Sequence, residues 1–175
     1  MTQEESFDEL YRTHYRRVFG LCRKLLGTPE QAEDATQEVF LRAHRNFKSY
    51  DREQSFSGWV LKIASNFCVD LMRRRAKERE LFGDRQIEAQ EIESDSPTAV
   101  GELIASQQAA HVRGAIDSLP EKYRIPLVLA YYSDSSYEAI ATTLGVSRNH
   151  VGVLILRGKQ QLRQLLSEGT EEISA

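Results

Sequence analysis

Residues 56–75, FSGWVLKIASNFCVDLMRRR, constrain the fold of this chain more than any other stretch. Their large apolar residues recur at steps of three and four, a spacing that gathers side chains on one face of an α-helix. These apolar positions are Phe56, Trp59, Val60, Ile63, Ala64, Phe67 and Leu71. The positions predicted on the opposite, polar face are Lys62, Ser65, Asn66, Asp70 and Arg73. The pattern predicts a helix that buries one face in a core and offers the other, with the basic residues that follow it, to a polyanion.

Two further amphipathic helices are predicted before this stretch. The first covers residues 5–26. The second begins at a strong start signal, with Thr28 as N-cap, Pro29 at the first helical position and Gln31 closing a capping box. A polar loop then leads to Ser55, which is suited to cap the helix of the opening stretch. Three helices packed through their apolar faces would make a compact first domain.

The second half of the chain is separated from the first by an acidic segment. Residues 83–96 are poor in large apolar side chains, so they predict a flexible linker. A helix is expected from about Pro120 to Tyr132, and Pro126 inside it is expected to kink or split it.

A helix-turn-helix pattern follows. A short predicted helix over residues 137–144 leads to a turn and then to a longer helix from Arg148. Gly145 suits the left-handed conformation of such a turn, and Ser147 suits the N-cap of the second helix. In DNA-binding proteins with this motif the second helix enters the major groove. No alternation typical of strands is found, so the predicted fold class is all-α.

Composition excludes several classes of protein. A hydrophobic content of 41% is enough for a folded core, and no apolar run approaches the length of a membrane span. The acidic, polar N-terminus is unlike a signal peptide, so we expect a cytoplasmic protein without membrane insertion. Cys22 and Cys68 are expected to be buried thiols, and the four His residues are scattered, so neither a metal site nor a cofactor is predicted.

The charges are segregated along the chain. The net charge is −3, although basic residues outnumber acidic ones between residues 56 and 82. Residues 83–102 are strongly acidic. Because DNA affinity depends largely on phosphate neutralisation, a local basic patch in an acidic chain indicates DNA contact that needs a larger partner.

Three stretches, in this order, resemble regions two and four of the bacterial extracytoplasmic-function sigma factors. They are residues 32–41, AEDATQEVFL; residues 56–75; and residues 119–132 with 137–147, LPEKYRIPLVLAYY and YEAIATTLGVS. The resemblance implies two small helical domains, a three- to four-helix region two over residues 1–82 and a helix-turn-helix region four over residues 102–175. A flexible acidic linker over residues 83–101 would join them. It also implies a dissociable RNA polymerase subunit that selects and helps to open promoters, without enzymatic activity or a small-molecule substrate.

The resemblance assigns residues to each partner. Contact with the coiled coil of the polymerase β′ subunit is expected from Asp34, Gln37, Glu38 and Leu41. Contact with the −10 element is expected from Lys48, Ser49, Tyr50, Ser55, Lys62, Asn66, Arg73 and Arg74. Contact with the −35 element is expected from Ser147, Arg148, Asn149, His150, Arg157 and Lys159. Because the family is often held by an anti-sigma factor, such a protein regulator is a further expected partner.

The residue types suit these roles. An acidic stripe edged by Leu41 is complementary to a basic helical partner. The Asn66 amide offers a donor and an acceptor to a base edge, and the loop over residues 48–55 would hold a base turned out of the duplex. The basic side chains suit phosphates.

The predicted recognition helix departs from the family pattern. Family members usually place basic residues at the positions of Gly152 and Leu154. Moreover, Val153, Leu154 and Leu156 cannot all face inward on one helix, so some apolar surface should be exposed to thymine methyl groups or to a protein. We therefore expect a weakened or altered −35 contact with a flattened salt dependence.

Two other functions remain open at this point. A stand-alone helix-turn-helix regulator would use only the C-terminal domain and would need to dimerise on two half-sites. An enzyme would need a carboxylate–histidine site from Asp34, Glu38 and His44, which lie on one helix without a second set of ligands. A stable complex with core RNA polymerase would distinguish a sigma factor from a stand-alone regulator. A metal titration tests the enzyme hypothesis.

Overall fold

The computed structural model describes residues 6–82 and 100–173, with side-chain positions for residues 6–80 and 107–169. The described residues form seven α-helices and one short 3-10 helix. Their bounds are α1 Phe7–Leu26, α2 Pro29–Arg45, a 3-10 helix Phe47–Ser49, α3 Phe56–Phe82, α4 Val100–Ser118, α5 Glu121–Tyr131, α6 Tyr137–Leu144 and α7 Arg148–Ile173. No strand occurs within these ranges, which confirms the all-α class. The predicted linker lies outside the described residues, except that residues 100 and 101 begin α4.

The first half of the structure is a bundle of α1, α2 and α3, and local capping sets where its helices begin. Ser6 forms a capping box at the start of α1. Thr28 caps α2 as predicted, because its hydroxyl accepts a hydrogen bond of 3.3 Å from the backbone N–H of Gln31. The predicted capping box at this site is wrong: Gln31 Oε1 instead accepts from Arg75 Nη1 of α3 at 2.8 Å. The side chain thus joins two helices rather than closing one.

Helix α3 buries a wider face than its apolar spacing predicts. Ser65, which was predicted on the polar face, is only 4% exposed, and its hydroxyl donates to the Leu61 carbonyl at 2.8 Å. Leu61 and Val69 are buried as well. Helix α3 packs against three helices, α1, α2 and α6, so more of its surface is covered than the apolar spacing indicates.

The second half consists of α4, α5 and α6 packed against the long helix α7. Helix α5 continues through Pro126, so of the two predicted outcomes, a kink or a split, the split is wrong. Pro126 is fully buried and its neighbours Leu127 and Val128 are in the core, so packing stabilises the helix despite one lost backbone hydrogen bond. Gly158 allows α7 to approach α5 closely, because a Cβ there would lie 2.8 Å from Leu127 Cδ1.

Helices α6 and α7 form the predicted helix-turn-helix. Their axes are bent by 100° across the turn, within the range that this motif adopts. Gly145 has a φ of 68° in the left-handed region, and Ser147 Oγ accepts from the backbone N–H of His150 at 3.1 Å. Among the helices that the structure describes, no single one is long and apolar enough to cross a bilayer, and only α6 together with residues 148–169 of α7 passes that test, as a bent pair.

The two halves pack against each other, through α1 with α5 and α3 with α6. At the first contact the Tyr132 hydroxyl donates to the Arg17 carbonyl at 3.2 Å, and Arg17 Nη2 lies 3.5 Å from Asp134 Oδ2. Lys24 Nζ lies 5.2 Å from the centroid of the Tyr132 ring. Burial at this contact raises the pKa of Tyr132 and lowers that of Lys24. Buried residues of both halves therefore form one contiguous hydrophobic cluster.

Candidate functional site

Helix α2 brings together the four residues predicted to bind polymerase. Asp34, Gln37 and Leu41 are exposed, and Glu38 is partly exposed. Their spacing of three and four places them on one face, which we call the acidic stripe. Leu41 is 52% exposed, so an apolar side chain lies open to solvent beside the two carboxylates. Such a surface suits a basic helical partner that also has an apolar residue to bury.

Arg42 is a member of this surface that the sequence reading missed. Its Nε donates to Glu38 Oε1 at 2.8 Å, and this hydrogen bond lowers the pKa of Glu38. Its guanidinium also lies 4.6 Å from the centroid of the Phe67 ring of α3. The sequence does indicate the contact between Arg42 and Glu38, because the two residues are four positions apart on one helix. The contact with Phe67 depends on the packing of α2 against α3.

The loop before α3 rests on a cluster of aromatic rings. Tyr50 is half-buried, and its ring centroid lies 4.8 Å from that of Trp59 and 5.6 Å from that of Phe56. Its hydroxyl donates to the Gln54 carbonyl within the loop. Tyr50, one of the residues predicted to hold a displaced nucleobase, thus lies in the aromatic cluster on which the loop rests.

The other predicted loop residues lie nearer to solvent. Lys48, Ser49 and Ser55 are exposed. Ser55 also caps α3 as predicted, because its hydroxyl accepts from the backbone N–H of Gly58 at 3.3 Å. Ser49 Oγ donates to the Asn46 carbonyl at 2.8 Å. Hydrogen bonds within the loop therefore support its conformation, and Lys48 is exposed to solvent.

Helix α3 carries the predicted DNA-reading residues on its exposed side. Lys62, Asn66 and Arg73 are exposed and, with Asp70 between them, recur at the spacing of one helical face. We call these four residues the polar face of α3. Arg73 Nη1 also lies 3.7 Å from Asp70 Oδ1. Arg74 is exposed beside this face.

Two residues of the polar face are engaged by the second half of the chain. Asn66 Oδ1 accepts a hydrogen bond of 3.1 Å from Thr143 Oγ1 of α6. Arg73 Nη2 donates to the backbone carbonyl of Thr143 at 3.0 Å. No sequence pattern indicates this pairing, since the partners are 70 and 77 positions apart in the chain. The structure thus brings part of the predicted −10 site into contact with the helix-turn-helix.

The predicted −35 residues lie at or near the start of α7, but they are not equally available. Asn149, His150 and Arg157 are exposed. Arg148 Nε instead lies 2.7 Å from Glu138 Oε1 of α6, so its charge is partly compensated within the protein. Lys159 is half-buried, and its Nζ lies 4.9 Å from the centroid of the Tyr131 ring.

The exposed apolar surface expected on the recognition helix is present. Val153 is 42% exposed and Leu156 is 57% exposed, whereas Leu154 is half-buried. Leu154 lines a groove of about 350 Å³ between α5, the helix-turn-helix turn and α7, with His150 and Arg157 at its edge. The interpretation that all three apolar residues could not face inward is therefore confirmed.

Comparison with known proteins identifies the two halves. Residues 10–78 match the family described as Sigma-70 region 2, and residues 111–162 match the family described as Sigma-70, region 4. Together the two matches cover more than half of the chain.

Relatives and one solved structure support the same assignment. The chain is 36% identical over 167 residues to the ECF RNA polymerase sigma factor SigE of Mycolicibacterium smegmatis, a match that covers 95% of this chain but 64% of that protein. It is 28% identical over 172 residues to the ECF RNA polymerase sigma factor SigW of Bacillus subtilis, covering 94% of this chain and 91% of that one.

The fold is similar to that of the sigma factor RpoE, solved in complex with the anti-sigma factor NepR from Bartonella quintana. The TM-score is 0.69 at 20% sequence identity, covering 92% of this chain and 96% of that chain. The two family regions, together with 30% identity over 161 residues to the ECF RNA polymerase sigma factor SigM of Mycobacterium tuberculosis, which covers 92% of this chain and 77% of that one, show that this chain belongs to the extracytoplasmic-function sigma factors of the sigma-70 family.

Proposed function

We propose that this chain is the promoter-specificity subunit of a bacterial RNA polymerase holoenzyme. Sigma factors bind core RNA polymerase and promoter DNA, and they initiate transcription rather than catalyse a reaction of their own. One observation carries the proposal: a single chain joins an exposed acidic stripe on α2 to a helix-turn-helix of α6 and α7. The first suits a protein partner and the second suits duplex DNA.

The acidic stripe would bind the coiled coil of the β′ subunit. Its two carboxylates supply charge complementarity and Leu41 supplies apolar area that is exposed before binding. The ion pair between Arg42 and Glu38 would hold the Glu38 carboxylate in a fixed position, which reduces the entropy lost on binding.

The polar face of α3 and the loop before it would read the −10 element. Asn66 would hydrogen-bond a base edge, while Lys62, Arg73 and Arg74 would contact phosphates. The loop of Lys48, Ser49, Tyr50 and Ser55 would hold a base displaced from the duplex. Its support on aromatic rings favours this role, because a pre-shaped pocket offsets part of the cost of unstacking a base.

The start of α7 would contact the −35 element. Asn149, His150 and Arg157 are exposed there, and Ser147 and Arg148 begin the helix. Lys159 lies about three turns beyond Arg148 on the same helix. Because Arg148 is paired with Glu138 and no basic residue stands at Gly152 or Leu154, this half would contribute less electrostatic affinity than a more basic recognition helix.

Regulation by a protein partner is a further part of the proposal. The solved structure with a similar fold is a sigma factor held by an anti-sigma factor. A cytoplasmic location follows from the role in transcription.

Size-exclusion chromatography with core RNA polymerase of the source organism tests the proposal. Wild-type chain should co-elute with the polymerase. The double variant Asp34→Lys with Leu41→Ser should lose affinity by about tenfold or more, because it removes both the charge and the apolar contact. Glu168→Lys, an equal charge reversal at an exposed position of α7, should bind as the wild type does.

The same experiment separates the alternative function. A stand-alone regulator would bind duplex DNA as a dimer and would show no complex with core polymerase. The family assignment does not favour that outcome.

A further inference from the structure

The polar face of α3 includes one residue to which the proposed function gives no role, Asp70. Its side chain is 58% exposed, and it lies one helical turn after Asn66, the residue proposed to read a base edge. A carboxylate on a surface that binds DNA is repelled by the phosphates. Asp70 would therefore lower the DNA affinity of this face unless a base donated a hydrogen bond to it.

The polar face has cations at its two ends and uncharged or acidic hydrogen-bonding groups between them. Lys62 and Arg73 are about three helical turns apart, which is roughly 16 Å at about 1.5 Å per residue. The major groove of B-DNA is about 12 Å wide. The two cations would therefore reach phosphates at the edges of the groove, while Asn66 and Asp70 would lie over the base pairs between them.

Arg73 also holds the carboxylate of Asp70. Its Nη1 lies 3.7 Å from Asp70 Oδ1, and the two residues are three positions apart on one helix. A guanidinium has five N–H donors, so Arg73 can keep this ion pair and contact a phosphate at the same time. The pair favours one orientation of the carboxylate and compensates part of its charge, which reduces the cost of placing it in the groove.

The chemistry of the base edges selects the partner of this carboxylate. An ionised carboxylate accepts hydrogen bonds and donates none. In the major groove cytosine presents a donor, its N4 amino group, whereas guanine presents the N7 and O6 acceptors and thymine presents the O4 acceptor. Adenine has a donor beside the N7 acceptor, which would repel the second carboxylate oxygen. Cytosine is therefore the base that suits Asp70 best.

From these observations we infer that Asp70 is a specificity-determining residue that selects a cytosine in the base-paired part of the −10 element. The inference rests on the proposed function of α3 and adds a base preference to it. Asn66 and Asp70 are about 6 Å apart along the helix axis, and successive base pairs are about 3.4 Å apart. The selected cytosine therefore lies within about two base pairs of the base that Asn66 reads.

Selection from a randomised promoter library tests the inference. The library is a promoter fragment, mapped by overexpressing the chain in its host, in which the −10 element and the adjoining upstream base pairs are randomised. Holoenzymes assembled from core RNA polymerase and each variant select the fragments that they bind, and sequencing gives the base preference at every position.

Three variants are compared with the wild type. Asp70→Asn keeps the size of the side chain, but an asparagine pairs with the N6 and N7 atoms of adenine. Asp70→Ala removes the hydrogen-bonding group altogether. Glu78→Gln removes a negative charge at another exposed position of α3 and is the matched control. Because both native side chains are exposed, none of these changes should unfold the helix.

We expect the wild-type holoenzyme to favour cytosine about fivefold or more over each other base at one pair of the base-paired part. Asp70→Asn should shift the preference at that pair to adenine, and Asp70→Ala should reduce it to about twofold or less. Preferences at the other positions should stay as in the wild type. Glu78→Gln should keep the preference for cytosine.

Two results would overturn the inference. One is a wild-type holoenzyme that selects a defined −10 sequence with no preference for cytosine in its base-paired part. The other is a uniform gain in affinity for Asp70→Asn and Asp70→Ala with unchanged base preferences, since Asp70 would then act only through its charge. By contrast, a wild-type chain that forms no complex with polymerase would refute the proposed function itself.

Discussion

Glu138 of α6 and Arg148 of α7 form an ion pair across the helix-turn-helix, with 2.7 Å between Oε1 and Nε. Both side chains are 65% exposed, so the pair lies at the surface that would face DNA. If α7 binds DNA as proposed, Glu138 would compete with the phosphates for Arg148 and would add a negative charge beside them.

Replacing this carboxylate should strengthen binding to −35 DNA. For Glu138→Gln we expect a gain of about two- to fivefold in duplex affinity and a salt dependence steeper by about one released counterion. Fluorescence anisotropy at several salt concentrations measures both quantities. Glu121→Gln, on the exposed first turn of α5, is the matched control, and equal behaviour of the two variants would contradict the expectation.

A cation at Gly152 should raise promoter affinity further. A Cβ at this position meets only Tyr137 Cε2, at an ordinary distance of 3.9 Å, so the side chain has room. Gly152→Lys should increase affinity for the −35 duplex, and it should also raise the free energy of unfolding by up to about 1 kcal/mol through helix propensity. Gly152→Gln should raise the free energy of unfolding in the same way but should not increase DNA affinity. The same benefit is not expected from Leu154→Arg, because Leu154 is half-buried in the groove.

The exposed apolar residues of α7 should read thymine methyl groups. Val153 and Leu156 are exposed on α7, the predicted recognition helix. In the major groove, apolar contact with the methyl group distinguishes thymine from the other bases. Replacing thymine by uracil in the −35 duplex should weaken wild-type binding but should leave Val153→Ser with Leu156→Ser unchanged. If the uracil duplex binds the wild type equally well, this surface instead contacts a protein.

Gly20 should control how tightly the two halves close. A Cβ at Gly20 would overlap the Tyr132 hydroxyl, so Gly20→Ala should loosen the contact of α1 with the second half and enlarge the radius of gyration in small-angle scattering. Adding Tyr132→Phe removes the overlapping oxygen and should restore compactness. Gly114→Ala, with nothing within 4 Å of the new methyl group, should have no such effect.

The buried thiols should resist modification until the first half unfolds. Cys22 Sγ and Cys68 Sγ are 3.7 Å apart, and the hydrogen bond between them together with burial raises the pKa of Cys68. Ellman's reagent should therefore label neither residue in the native protein, but both in urea. Cys68→Ser should lower the free energy of unfolding by about 1–3 kcal/mol if its buried hydroxyl lacks a partner of good geometry. Rapid labelling of the folded chain would contradict the expected burial.

Local sequence signals predicted the helices and most of their ends. Thr28 and Ser147 cap helices where they were expected to, because an N-cap depends on residues only a few positions away. Gly145 likewise adopts the left-handed conformation that its turn requires. The exposure of Val153 and Leu156 was also predictable, since one helix cannot bury three sides at once.

The mistaken predictions share one cause, which is packing between residues that are far apart in the sequence. Ser65 was predicted to face water and is buried, because the helices packed around α3 cover more of it than its apolar face. Gln31 was expected to close a capping box and instead binds Arg75, a residue of another helix. Pro126 was expected to kink or split α5, and the helix is not split, because Pro126 is buried in the core.

The sequence by itself determined the helical periods, the family and the residues that each surface offers, because these follow from local spacing and residue chemistry. Only the tertiary structure decided that Thr143 lies against Asn66 and Arg73 while the acidic stripe stays exposed. That contact joins residues far apart in the chain through weak interactions of ordinary side chains, so no local pattern encodes it. It depends on how the surfaces of the two halves fit together, which is a property of shape rather than of sequence spacing.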